Sequence, residues 1–537
     1  MKKTMTKVLA MLIAVVMLIG CMAGCDGSGG GAKLTGEVLM ITAALNGLGE
    51  SWLRDAAEAY TYETGVEVRI EFDSLVSQNM TTIFETEGME TADLYFAQSY
   101  EWAQWFDRGY IIDITSMMNQ KDEKTGKSLN DRMVSTKMYT LDSGEEKQSI
   151  LPVTNAPTGM VYNKAMMKYL CQDVLGWDAL HEYPVNTKEL REVIAALEKV
   201  TAEGTNKELF TYEQSGQTLP VKPFVWSGST GMLEMMTFPW MWQYFGTEGM
   251  TAYFSQTKNI DMLNDQGFYQ VYQEMVDLLG LVEDPNTGEW TTTTSIPGCA
   301  SLNHVGSQQR FLRGQALMAP TGSWFYNEME TVINEKEGLA ENVAFMPTPW
   351  MADENGNPIT KEGVEMPKDE NGNYKPYVKI NTQDYFCIPT KAYAPELAQD
   401  FLLFMFSSDY LSTVAETLQS PVCFEYGDVE IEKTSWFASV DHTMKTSVQA
   451  SSFAPNKLAL YGRIGFYYNP DVAPFSRLVQ SSFGSSNILV DSATGKVIQS
   501  ADQATGVAVT ENVYKYVKGN FDRSSIAFQD AKKELGV

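Results

Sequence analysis

The chain has 537 residues, 44% of them hydrophobic and 20% charged, the balance of a globular protein long enough for two or more domains and a large buried core. Its formal charge is −28, and a surface so acidic repels phosphate backbones and anionic headgroups. That argues against nucleic-acid or membrane-surface recognition and makes neutral ligands the expectation.

At the amino terminus Lys2, Lys3 and Lys7 precede an unbroken apolar run from Val8 to Ile19. Twelve residues are too few to span a bilayer as a helix but suit a signal peptide. Its removal would take away three lysines and no acids, moving the charge from −28 to −31. Two cysteines follow. Leu18-Ile19-Gly20-Cys21 and Met22-Ala23-Gly24-Cys25 both resemble the bacterial lipobox, whose cysteine is acylated and becomes the first mature residue. Cys25 is favoured because the polar tether Asp26 to Gly31 follows at once; Leu18 argues for Cys21 instead. The segments are thus 1–24 as signal peptide and 25–35 as lipidated tether. No other stretch approaches the length of an apolar membrane helix.

Val38 to Ile41 is a continuous apolar strand, followed by the turn Asn46-Gly47-Leu48-Gly49. Trp52, Leu53, Ala56, Ala57 and Tyr60 repeat at helical spacing until Gly65. Val66, Val68, Ile70 and Phe72 alternate as a half-exposed strand. This is a β-α-β unit, whose sheet should be mostly parallel. A further strand, Asp93 to Phe96, ends in Gln98, Ser99 and Tyr100. In open α/β sheets ligands bind beyond the carboxyl ends of the strands, so Asn46, Gln98, Ser99 and Tyr100 are candidate contacts. Ordinary turn chemistry is the competing explanation for each.

Leu151-Pro152-Val153 leads to Thr158 through Lys164, placing Asn155 at a candidate crossing. Asn186-Thr187-Lys188-Glu189 is a capping box before a helix with an apolar face of Leu190, Val193, Ile194, Leu197 and Val200. Residues 224 to 245 hold seven aromatics. Aromatic planes bury the C–H faces of sugars, but a core helix uses them too, and Met232, Met235, Met236 and Met241 look like such a core. Trp226, before Ser227-Gly228-Ser229, and Trp240, after Pro239, are the candidates chosen.

Gln308 to Arg313 should be helical until Gly314; Ala316 to Ala319 form a buried strand; and Pro320 to Ser323 break it. A new helix should start at Trp324 with Ser323 as its cap, setting Trp324 at the crevice. Beyond the strand at Val343, Asp353-Glu354-Asn355-Gly356-Asn357 recurs as Asp369-Glu370-Asn371-Gly372-Asn373. These compositions favour tight turns; neither copy has both the glycine and the glutamate of an EF-hand loop. Tyr385 to Pro389 is a returning strand, and Pro395 opens a helix from Glu396 to Phe406.

These landmarks carry a resemblance. F-x-x-G-x-A-x-M-x-x-x-G-S-W from Phe311 to Trp324, Tyr162-Asn163-Lys164, the A-D-L-Y-F segment at Ala92 and P-E-L-A-Q-D-F-L-L-F-M-F at Pro395 are together similar to the family 1 extracellular solute-binding proteins, the sugar-capturing subunits of ABC importers related to maltose-binding protein. The resemblance implies an α/β, two-lobed periplasmic-binding-protein-like fold, with mostly parallel sheets flanked by helices and the ligand cleft between lobes. Lobe I would take 36–151 plus 380–425 and lobe II 155–375 plus 430–537. It also implies that Trp324 stacks on a sugar ring, and that Leu151–Pro152–Val153 and Tyr385–Pro389 border the interlobe crossings. The expected partners are an oligosaccharide, ABC permease subunits and, through the lipid, the outer face of a bacterial cell membrane. The protein would be a monomer using no cofactor.

Catalysis finds little support. His181, His304 and His442 are far apart and lack partners at metal-ligand spacing. No G-x-S-x-G elbow or phosphate-cradling loop is present. A pair of carboxylates among 68 acids could still serve a glycan-degrading enzyme, which is the alternative, together with a surface glycan receptor without transport. Cys171, Cys299, Cys387 and Cys423 leave buried thiols and disulfides equally open.

Overall fold

A computed structural model describes residues 35–86, 91–98, 102–135, 140–142, 145–228, 232–254, 266–283, 290–335, 338–381, 384–426 and 435–451. The expected signal peptide, tether, Cys21 and Cys25 lie outside these residues, as do Ser99, Tyr100 and the tail from 452.

The first unit starts with β1 (Val38–Ala44), α1 (Ser51–Thr64), β2 (Glu67–Asp73), α2 (Val76–Glu85) and β3 (Leu94–Gln98). The helix buries Trp52, Leu53, Ala56, Ala57 and Tyr60, the stripe its sequence spacing requires. β2 has no fully buried residue and stands at the sheet edge, which is why its sequence alternates. β4 (Leu151–Pro152) then leads into β5 (Ala156–Asn163), the spine of a second sheet.

In that second unit come α3 (Thr187–Glu203), β6 (Lys222–Phe224), α4 (Glu234–Phe254), α5 (His304–Leu312), β7 (Ala316–Gly322), the single turn α6 (Phe325–Glu328), β8 (Val343–Met346) and β9 (Tyr377–Asn381). Asn186 caps α3, its Oδ1 accepting from the Glu189 amide at 3.0 Å. The chain returns as β10 (Asp384–Cys387), α7 (Pro395–Met405) and α8 (Leu411–Leu418), and α9 (Ser435–Thr446) with β11 (Val448–Ser451) adds to the second unit.

The two main sheets have the orders β2-β1-β3-β10-β4 and β6-β7-β5-β9-β11, with β8 also paired to β5. Both are mixed rather than mostly parallel. Parallel ladders join β1 to β2 and β3, β6 to β7, and β9 to β11. The crossing strands β5 and β10 run antiparallel to their neighbours. The reason is directional: strands joined through a helix re-enter a sheet the same way round, whereas β10, arriving straight from the other sheet, enters β3's edge reversed. The change of sheet falls between Asn381 and Asp384, since Ile380 and Asn381 still pair with Pro157 and Ala156.

Trp52 packs edge-on against Phe96 at 5.1 Å in the first unit. In the second, Trp436 of α9 lies against Phe325, Tyr326 and Phe345. α9 thus supplies the packing behind α6. The four cysteines in the described residues are buried free thiols.

The repeated pentapeptides form two copies of one turn. Asp353 Oδ1 accepts from the amides of Asn355 and Asn357, and Asp369 Oδ1 from those of Asn371 and Asn373, at 2.8 to 2.9 Å. The Asn373 side-chain amide on Asp369 and the Asn357 amides on Asp353, with these bonds, hold both carboxyls below their ordinary acidity range. Gln243 ties the insertion to α4 through Met351 and Ile359.

Candidate functional site

The apolar run of β7 continues through Pro320, Thr321 and Gly322, all buried, and the chain then turns at Ser323. Ser323 does not cap α6. It is buried, and its hydroxyl lies 2.6 Å from that of Ser420, leaving Trp324 at the cap position without a side-chain bond. This turn delivers a half-buried tryptophan between the two units.

Two glycines make room for it. A methyl group on Gly322 would overlap the six-membered ring of Trp324, and one on Gly47, in the turn after β1, would stand 3.1 Å from Trp324 Cδ1. Any larger residue at Gly322 would displace the ring. One turn further, Asn327 Nδ2 donates to Leu48 O at 3.1 Å and to Leu418 O at 2.8 Å. Leu418 ends α8, so the amide satisfies a helix-end carbonyl. Trp324 and Asn327 thus touch the first unit from the second.

The first unit contributes the carboxyl ends of its parallel strands. Asn46 is half-buried, with Oδ1 accepting from the Leu48 amide at 3.0 Å. Gln98 is exposed at the end of β3, its backbone amide bonded to Ser77 Oγ at 2.9 Å. Leu45 and Leu75, following β1 and β2, are exposed leucines on the same edge. Asn46 Nδ2 and Gln98 Nε2 converge on Asp384 Oδ1, at 3.0 and 3.1 Å, while Thr154 donates to Oδ2 at 2.9 Å. Burial pushes Asp384 up to about 6, opposed by these three hydrogen bonds.

Asn155 lies at the crossing but is buried, its Nδ2 donating to Gln449 at 3.2 Å and its backbone amide to Pro421 O. It therefore ties β5 to the segments that complete the crossing. Trp226 and Trp240 are both core residues. Trp226 is 2% exposed and donates to Ser295 Oγ at 3.0 Å; Trp240 is fully buried and donates to Pro349 O at 2.8 Å. Every residue from 235 to 246 is buried, so this stretch of α4 is covered on all sides and its aromatics have no free face in this conformation.

The structure therefore brings Asn46, Gln98 and Trp324 to one junction and leaves Trp226 and Trp240 out of it. Sequence reasoning missed Asp384 and Asn327. Asp384 had a signal: a carboxylate opening a strand that is otherwise wholly apolar needs partners. Near α6, His304 bonds Glu328 at 3.0 Å, and that bond raises the imidazole's affinity for its proton against the effect of burial. Among the described residues no group of three or more His, Cys, Asp or Glu could hold a metal ion, and no helix is long and apolar enough to cross a membrane. A partly open aromatic face beside amides can bury a C–H surface and exchange hydrogen bonds with hydroxyls.

A family model described as bacterial extracellular solute-binding protein matches residues 55–423. No curated protein sequence matches the chain. Among solved structures, the apo form of RafE from Streptococcus pneumoniae is similar with a TM-score of 0.56 and 14% identity, over 92% of this chain and 100% of that one. A chitin oligosaccharide binding protein gives 0.54 and 15%, over 93% and 99%. A probable secreted solute-binding lipoprotein from Streptomyces coelicolor gives 0.52 and 14%, over 92% and 98%. At these identities the likeness is one of fold, the two-lobed fold expected from the sequence.

Proposed function

The chain belongs to the bacterial extracellular solute-binding proteins, and from that membership we propose that it captures a neutral oligosaccharide for an ABC importer. The observation that carries this reading is Trp324, a half-buried aromatic face at the junction of the two units, against the turn that carries Asn46, whose side-chain amide meets that of Gln98 on Asp384. The aromatic plane would stack on a sugar ring while the amides meet its hydroxyls. Two neighbours in fold support the ligand class: RafE has been seen in complex with raffinose, and GacH in complex with acarbose.

In this reading the lobes close about the crossing strands, bury the sugar and present both surfaces to permease subunits. No bond of the sugar is made or broken. The protein works as a monomer, held outside the cell by acylation of Cys25, or of Cys21 if the signal peptide is cut earlier. Ser99 and Tyr100 would add polar contacts beside Gln98. Palmitate labelling that survives Cys21→Ser but disappears in Cys25→Ser supports the anchor at Cys25.

The direct test is a thermal-shift screen against raffinose, chitin oligosaccharides and acidic sugars, each mixture then examined for breakdown. A one-site ligand at a hundred times its dissociation constant adds about 2.7 kcal/mol of stability. A shift with the sugar intact supports capture. A sugar consumed points to the glycan-degrading alternative, and no shift across the panel overturns the proposal.

A further inference from the structure

We infer that Asp384 is a positioning residue for the cleft: its buried carboxylate orients the side-chain amides of Asn46 and Gln98 so that Gln98 presents its carbonyl oxygen, Oε1, to a hydroxyl donor. This deepens the sugar-capture reading and rests on it for the identity of the donor.

An ionised carboxylate can only accept hydrogen bonds. Asp384 Oδ1 lies 3.0 Å from Asn46 Nδ2 and 3.1 Å from Gln98 Nε2, and Thr154 Oγ1 holds Oδ2 at 2.9 Å. Turning either amide over would set its oxygen against Oδ1, acceptor to acceptor, at a site where an unmade bond is costly. Asn46 is fixed twice, because its Oδ1 also accepts from the Leu48 amide. Gln98 is anchored through its nitrogen, and its exposed side chain therefore offers an acceptor at the rim. An acceptor backed by a buried negative charge selects a hydroxyl and disfavours a carboxylated sugar.

The geometry is complete only while Asp384 is ionised. Facing it are Gln98 from β3, Asn46 from the turn after β1, Thr154 from the crossing and Cys423 from the segment after α8, whose thiol burial pushes up to about 12 and keeps protonated. Once protonated, Asp384 becomes a donor itself and Gln98 is free to turn over.

The experiment uses the full mature chain and its Asp384→Asn variant. The side-chain amide nitrogen signals of Asn46 and Gln98 are followed by NMR on either side of pH 6. Both should move together with a midpoint near 6 in the wild type and stay flat in the variant. Affinity for raffinose should fall about tenfold in the variant and lose its dependence on pH. Amide signals that ignore pH, or that titrate equally in the variant, overturn the inference, as does unchanged raffinose affinity. If wild type binds neither raffinose nor chitin oligosaccharides, the sugar reading falls, and the amide titration still decides whether Asp384 sets these side chains. If the variant fails to fold, the wild-type titration decides alone.

Discussion

The two rims of the proposed cleft are built on different physical principles. On the second unit, Trp324 is placed by shape: Gly322 and Gly47 leave a gap that an indole fills. On the first unit, Asn46 and Gln98 are placed by charge, through one carboxylate oxygen. A rim set by packing keeps its form across pH, whereas one set by a titratable group holds it only while that group is ionised. If the junction binds a sugar as proposed, aromatic affinity and hydroxyl selectivity can be altered separately.

The sharpest way to test the packed rim is to contrast Trp240→Ala with Trp324→Ala. Loss of the buried Trp240 should cost about 3–5 kcal/mol of stability in denaturant unfolding, the usual range for core tryptophans. Trp324→Ala should leave the unfolding midpoint nearly unchanged and weaken sugar binding instead. Equal destabilisation by the two would make Trp324 another core residue.

The charged rim is tested by pH. Asp384 has its carboxyl raised from 3.8 to about 6 in the folded protein. A raised carboxyl stabilises the fold fully below its unfolded value, near pH 4, and that stability is lost as pH rises through about 6. The change is of the order of 3 kcal/mol, and Asp384→Asn should remove this slope from the stability profile. A wild-type profile already flat across that window would break the contrast.

Smaller effects sharpen it further. Gly322→Ala should drive the indole from its seat, at a cost of about 1–3 kcal/mol, and weaken binding as Trp324→Ala is expected to. A variant that binds normally would show that the ring does not need this seat. Smallest is Asn327→Ala, which removes the bonds to Leu48 and Leu418 and should cost about 1 kcal/mol. Its ligand affinity should change through a shift toward open lobes, visible as an increased radius by small-angle scattering of the apoprotein.

Much of this fold was legible because its signals are local. The stripe from Trp52 to Tyr60, the cap at Asn186 and the apolar run of β7 each depend on neighbours a few residues away. Asn46, Gln98 and Trp324 could be placed at strand ends for the same reason. Ser323 misled because its partner, Ser420, is 97 positions distant and no local pattern announces it. Trp226 and Trp240 misled because a dense run of aromatics looks the same whether it lines a cleft or fills a core; burial on every side of α4 decided the matter. Asp384 was overlooked because its three donors lie 230, 286 and 338 residues away.

Those separations also bear on the order of assembly. Each of the twin turns at Asp353 and Asp369 closes with bonds inside five residues, and such hairpins form within microseconds. Asp384 can meet its donors only after β1, β3 and the first crossing are already in place, and closures between distant segments come late and slowly. The proposed ligand site is therefore among the last parts of the molecule to exist. On that reading a half-folded chain binds no ligand, and ligand binding reports that folding has run to completion.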